Sequence, residues 1–192
     1  METPREYRVK LSELSTAELS FYLANGFEVY KHWCYMELAT PFGVREHLPH
    51  PFQWWTAQEA DIEEWIECHN EAFSDHWDHK QLTIDSVRDF AKGGDEKALL
   101  GIVGTSRAVA TSACQLRNSR SLGIIWSVGV LPSHRGIGLG KALVVKTISH
   151  LSGLGARRIG LFVDEENVVA YGLYRKLGFK TVEKSLILRR LH

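Results

Sequence analysis

The chain has 192 residues, and 23 Lys and Arg balance 23 Asp and Glu to a formal net charge of zero. That length suffices for one full domain and a fragment of another, and the charge balance leaves no electrostatic footprint for a nucleic-acid partner or an anionic membrane surface. No apolar run approaches a membrane span, the opening METPREYRVK lacks the apolar core of a signal peptide, and Cys34, Cys68 and Cys114 lack metal or redox spacing, so they read as reduced thiols of a cytoplasmic protein.

The first predicted element is a helix over Leu19 to Leu23 that stops at Asn25-Gly26. A long strand-like run, FEVYKHWCYMELA, follows. Pro41, Pro49 and Pro51 bracket a linker. Phe52 to Thr56 reads as the first strand of a main domain, and Thr56-x-x-Glu59 as a capping box. Ile62, Trp65, Ile66 and Phe73 form one apolar helical stripe. After the loop Ser74 to Gln81, Thr83 caps a second helix that ends at Gly93-Gly94. Within that loop, His76-x-x-His79 is too sparse for a metal site, so no metal is expected. Ala98 to Val103 and Ala108 to Leu116 read as antiparallel strands turned at Ser106-Arg107.

Leu122 to Val130 is rich in Ile and Val and suits a buried strand, which Pro132 and Ser133 stop. Gly136, Gly138 and Gly140 then alternate, and the apolar run Leu139 to Leu151 is long enough for a helix. Strand, glycine-rich turn and helix start form a holder for phosphate. The first N–H groups of a helix are unpaired and point outward, and glycine lets an anion reach them. Arg135 and Lys141 add charge beside such an anion. The dinucleotide fingerprint fails because its third glycine falls on Lys141, and the P-loop fails because Ala142 follows Lys141. The pattern present is R-x-x-G-x-G at Arg135, Gly138 and Gly140.

Arg158 to Val163 is the next strand, and Asp164 to Glu166 a loop. Asn167 is an N-cap, and Ala170, Leu173, Tyr174 and Leu177 share one helical face up to the stop at Gly178. Phe179 to Arg190 closes the chain as a strand. This end repeats the beginning. Phe21-Tyr22 aligns with Leu173-Tyr174, Gly26-Phe27 with Gly178-Phe179, and Met36 with Leu188, without a gap.

The R-x-x-G-x-G loop and the NVVAYGLYRKLGF helix together resemble the pyrophosphate loop and tyrosine helix of the acetyl-CoA-dependent N-acetyltransferase (GNAT) superfamily, over roughly Pro51 to His192. The resemblance implies an α+β fold with a mixed, mainly antiparallel sheet and helices on both faces. It divides the chain into a partial repeat, residues 1–48, as in tandem members of the superfamily, and an acetyltransferase domain, residues 49–192. It implies acetyl-CoA as cosubstrate and a small-molecule or peptide amine as acceptor, with a non-catalytic acyl-CoA-binding protein as the alternative.

By the same resemblance, main-chain groups of Val128 and Val130 polarise the acetyl carbonyl and hold the pantetheine arm. Gly136, Ile137, Gly138, Leu139, Gly140 and Lys141, with Arg135, take the pyrophosphate. Asn167 reaches the pantetheine or serves only as a cap. Tyr174 is the general acid toward the departing thiolate, or a core aromatic, and Tyr22 is structural. The strand before the loop carries no Glu; it offers Trp126 and Ser127, so Glu71, Asp75, His76 and His134 are the candidate bases, directly or through water. Residues 1–40 carry too many apolar groups to stay undocked. The run Gly26–Ala39 is expected to extend the main sheet near Phe179 to Arg190, either within the chain or across a strand-exchanged homodimer.

Overall fold

The structure, a computed structural model, describes residues 6–12, 16–40, 43, 45–77, 80–92, 95–117 and 121–191. Pro41, His79 and the Gly93-Gly94 stop lie outside the described residues. The elements run β1 (Glu6–Ser12), α1 (Thr16–Ala24), β2 (Glu28–Ala39), β3 (Gln53–Thr56), α2 (Ile62–Ala72), α3 (Ile84–Ala91), β4 (Glu96–Val103), β5 (Ala108–Arg117), β6 (Leu122–Val130), α4 (Leu139–Gly153), β7 (Arg158–Asp164), α5 (Val168–Lys176) and β8 (Lys180–Leu191). The fold class is α+β, as the motifs imply, and the pairs β1–β8, β2–β8, β3–β4, β4–β5 and β5–β6 all run antiparallel. No helix among the described residues is long and apolar enough to cross a membrane.

The chain forms two compact units, one of residues 39–159 and one that joins the chain through Leu38 to the part from Gly160 onward. In the 39–159 unit the strand order is β6-β5-β4-β3. Every residue of β5 from Ala108 to Leu116 is buried, because helices cover both faces. Ala113 points into a cluster with Ile62, Trp65 and Ile66 of α2 and Val87 of α3. Its neighbour Ser112 points the other way, where its hydroxyl accepts from Thr147 Oγ1 of α4 at 3.1 Å. The Trp65 indole N–H donates to the Leu100 carbonyl at 3.0 Å and fixes α2 on β4. Thr83 caps α3 as expected and accepts from the Ser86 N–H at 3.2 Å. The capping box before α2 is displaced by two residues. Thr56 ends β3, the Gln58 N–H donates to Asp61 Oδ2 at 2.9 Å, and Glu59 pairs with Arg88 instead.

In the other unit the order is β1-β8-β2-β7. The run Glu28–Ala39 does lie against β8, but it extends no edge: β7 is on its other side, so the N-terminal strand is an interior strand of this unit. The strand β1 is an addition to the elements read from sequence. Tyr7, Val9 and Leu11 alternate with Arg8, Lys10 and Ser12, a period-2 signal in a short polar stretch, and Leu11 is buried with Leu186 and Leu188.

The two helix–turn–strand segments of this unit match closely. Both helices have nine residues and both strands twelve. Each helix stops at a left-handed glycine, Gly26 at φ 79° and Gly178 at φ 96°. Past the glycine, the Phe27 N–H donates to the Tyr22 carbonyl at 3.1 Å, and the Phe179 N–H to the Tyr174 carbonyl at 3.0 Å. Tyr22 meets Phe27 edge-on with ring centres 5.1 Å apart, and Tyr174 meets Phe179 likewise at 5.7 Å. In the β2–β8 ladder Trp33 faces Ser185, its own counterpart in the gapless alignment. The two irregularities of that ladder leave Tyr30 in β2 and Val182 in β8 as extra residues, again counterparts. A local twofold axis therefore passes between Trp33 and Ser185.

Candidate active site

The 39–159 unit contains the strand, loop and helix that the glycines mark. After β6, Leu131 and a 3₁₀ turn over Pro132–His134 lead into Arg135. Gly136 and Gly138 then take φ of 84° and 93°, a region that other residues enter only with strain. A Cβ at either position would meet no protein atom within 4 Å, so both face open space. Gly138 is the N-cap of α4 and no side chain caps it. The first backbone bond of the helix runs from the Ala142 N–H to the Gly138 carbonyl at 3.0 Å. The amides from Gly138 to Lys141 precede it and have no acceptor in their own helix. Ile137 and Lys141 are exposed beside them. Free amides at a helix N-terminus beside open space are an arrangement that can hold an anion.

Arg135 holds the loop in place. Its Nε donates to the Val130 carbonyl at 3.1 Å, Nη2 to the Ala72 carbonyl at 2.8 Å, and Nη1 and Nη2 to the Asp75 carboxylate at 2.6 and 3.0 Å. The charge that the motif places beside a phosphate is thus committed, as placed here, to joining β6, the loop and the end of α2. Hydrogen bonding from Arg135 holds the Asp75 carboxyl below its ordinary range. Val128 and Val130 face Ser112 and Ala110 on β5. Two residues before Val128, Trp126 is the extra residue of a β-bulge. Trp126 is 47% exposed, and its indole N–H donates to Gln115 Oε1 at 3.0 Å.

Of the candidate bases, both carboxylates are engaged by arginine. Glu71 accepts from Arg107 at 2.8 and 3.0 Å, which holds its carboxyl below the ordinary range, as Arg135 does for Asp75. A carboxylate so stabilised is a weak proton acceptor at neutral pH. The His134 ring has Ser133 Oγ 2.9 Å from Nδ1 and Phe52 edge-on at 6.0 Å. His76 packs against Phe73 and Trp77 at 6.0 and 5.6 Å. No group of three or more metal-ligating side chains occurs among the described residues. All three cysteines are buried, and burial pushes the Cys68 and Cys114 thiols up to about 12, so neither supplies a thiolate nucleophile.

The other unit carries Asn167 and Tyr174, both on α5. Asn167 Oδ1 accepts from the Ala170 N–H at 3.1 Å, so its oxygen is the helix cap. The residue is exposed, and its side-chain NH2, a donor, takes no part in that cap. Tyr174 is 9% exposed, and burial pushes its phenol up to about 12. It keeps its proton across the physiological range.

Comparison with known proteins now places the chain. The acetyltransferase (GNAT) family matches residues 46–179, and the chain belongs to this family. The mycothiol acetyltransferase of Thermobifida fusca is 31% identical over 143 residues, 69% of this chain and 44% of that protein. That of Kocuria rhizophila is 29% identical over 159 residues, 76% of this chain and 48% of that protein. The chain spans less than half the length of these curated relatives. Among solved structures, a GCN5-related N-acetyltransferase from Sphaerobacter thermophilus superposes with a TM-score of 0.83 at 21% identity, over 99% of this chain and 61% of that one. A tandem GNAT protein from the clavulanic acid biosynthesis pathway gives 0.71 at 15% identity, over 98% of this chain and 64% of that one.

Proposed function

We propose that the chain transfers the acetyl group of acetyl-CoA to a primary amine of a small molecule or a peptide, in the cytoplasm and without a metal. The observation that carries the reading is the open glycine loop at the uncapped N-terminus of α4, in a chain of the acetyltransferase family. Amides of Gly136 to Lys141 take the pyrophosphate, main-chain groups of Val128 and Val130 take the pantetheine arm, and the side-chain amide of Asn167 adds a donor. Arg135 serves this site by fixing the loop.

Transfer needs the acceptor as a free amine. Its nitrogen attacks the thioester carbon, the carbonyl oxygen gathers charge against a β6 main-chain N–H, and the C–S bond breaks. Tyr174 gives its proton to the departing thiolate. The amine's surplus proton goes to His134 or His76, directly or through water, because arginine has engaged Glu71 and Asp75. Holding both substrates in line contributes roughly 7–11 kcal/mol.

Residues 1–48 are, in this reading, a partial repeat of the domain at 49–192, as in tandem members of the family. The matched lengths, turns and bulges of the two helix–turn–strand segments support it. In the single chain β2 pairs with its own β8. The same strand given to a second chain would make an exchanged homodimer, which light scattering distinguishes by mass.

The test is an acetyl-transfer screen read by free-thiol release, over a panel that includes the amine acetylated to form mycothiol and a peptide with a free N-terminal alanine. Turnover above acetyl-CoA hydrolysis supports the reading. Binding of acetyl-CoA without turnover on any amine would favour the alternative, a non-catalytic acyl-CoA-binding protein, for which the carboxylate-free β6 and the engaged Glu71 and Asp75 are the arguments.

A further inference from the structure

Three acidic residues in a row, Asp164, Glu165 and Glu166, lie immediately before the cap of α5. Three like charges on one short loop repel each other unless cations answer them. Both answering cations come from the paired strands of the twofold. From β2, Lys31 Nζ lies 3.4 Å from Asp164 Oδ2 and is also hydrogen-bonded to Glu166 Oε2. From β8, Lys184 pairs with Glu165 at 2.5 Å. Lys31 is the more enclosed of the two lysines: its side chain is 15% exposed, and that of Asp164 only 4%. The backbone completes the clasp. The Glu165 N–H donates to the His32 carbonyl at 3.0 Å, the Glu166 N–H to Asp164 Oδ1 at 2.9 Å, and the Asn167 N–H to the Asp164 carbonyl at 3.0 Å.

We propose that Lys31 is a positioning residue for acetyl transfer: it holds the Asp164–Asn167 loop, and through it the start of the helix that carries Asn167 and Tyr174. The proposal rests on the acetyl-transfer reading above. Lys31 lies outside the residues matched by the family, 46–179, and in the N-terminal segment that the sequence alone marks only as something that must dock. Its loss would leave Asp164 buried as an unanswered charge, which is strongly unfavourable. The relief available is for Asp164 to swing out. That weakens the hold of Oδ1 on the Glu166 amide, and Asn167 is the next residue. Because α5 has only nine residues, a shift at its first turn reaches Tyr174.

The experiment compares Lys31→Met and Lys31→Arg with the wild-type full chain, by kinetics with acetyl-CoA and by hydrogen exchange. A lesion that only lowers the folded fraction scales kcat and leaves KM unchanged. A displaced loop raises KM for acetyl-CoA and lowers kcat/KM by about 10-fold or more. The expected result is that KM change in Lys31→Met, faster exchange over residues 165–170 with α4 unaltered, and recovery of both in Lys31→Arg. If Lys31→Met does not fold, Lys31→Gln, which keeps a donor toward Asp164, is read by the same criteria. Unchanged exchange over residues 165–170, or an unchanged KM, overturns the proposal. A wild-type chain inactive on every amine would instead defeat the acetyl-transfer reading, and the exchange measurement alone then decides whether Lys31 holds the loop.

Discussion

The two helix–turn–strand segments around the Trp33–Ser185 axis have the same backbone and different surroundings. In the first, Tyr22 is half-buried beside Phe27, and the sequence before the helix carries no run of acidic residues. In the second, Tyr174 is buried with its phenol pushed up to about 12, Asn167 caps the helix, and lysines from both strands hold the loop before it. The difference teaches that a helix, a left-handed glycine and a strand make a structural unit by themselves.

The comparison is broken most severely by deleting residues 1–40. The two segments are equals structurally, and the first supplies an interior strand. Its buried Cys34, Met36 and Leu38 leave with it, and burial of large apolar side chains contributes roughly 1.5–3 kcal/mol each. We expect no cooperative thermal transition and an aggregated product. A soluble remainder with the wild-type melting temperature would show the first segment to be dispensable.

Gly138→Val tests the glycine loop, which lies in the 39–159 unit and in neither segment. No protein atom stands where the new side chain begins, so the substitution fills the space open to an anion. Wild-type protein should gain melting temperature with acetyl-CoA by mass action, and the variant should show no gain. An undiminished shift would put the pyrophosphate elsewhere.

Gly26→Ala and Gly178→Ala probe the likeness directly. Both glycines are left-handed, and an added Cβ would lie 3.6 Å from Arg190 Cδ and 3.4 Å from Leu38 Cδ1 respectively, themselves counterparts. Each substitution should destabilise by about 1–2 kcal/mol in denaturant titration. A large inequality between them would argue against equal structural roles.

The smallest effect is acidic. Lys184 holds the Glu165 carboxyl below its ordinary value of 4.5. The stability linked to that shift is present above the unfolded carboxyl pKa and is lost as pH falls through the lowered folded one. At pH 6 hydrogen exchange over the loop before α5 should already be faster in Lys184→Met than in wild type, and from pH 6 toward pH 3 the wild type should loosen there and close that gap, with α1 unaffected. Equal acid sensitivity of the two proteins would remove Glu165 from the clasp.

What could be read from sequence was local. The glycine loop is legible because phosphate binding demands adjacent residues, and the helix–turn–strand match because its signals, Gly26-Phe27 and Gly178-Phe179, lie in one short window. What could not be read was pairing across the chain. The resemblance set FEVYKHWCYMELA beside β8, but nothing in the run says that β7 lies on its other side. The bulge at Trp126 depends on the register with β5. The clamp of Arg135 on Asp75 joins residues separated by α3 and the three strands β4, β5 and β6. Lys31 carried no signal at all, because a lone lysine on a strand announces no partner.

The most direct test of the account sets Tyr174→Phe beside Tyr22→Phe. Each change keeps a ring edge-on to its phenylalanine and removes one hydroxyl. Measured by thiol release with acetyl-CoA and the best amine of the panel, Tyr174→Phe should lose about 10²–10⁴ in kcat while Tyr22→Phe turns over as wild type. Equal activity of the two variants would contradict the assignment of the proton donor and return Tyr174 to the core.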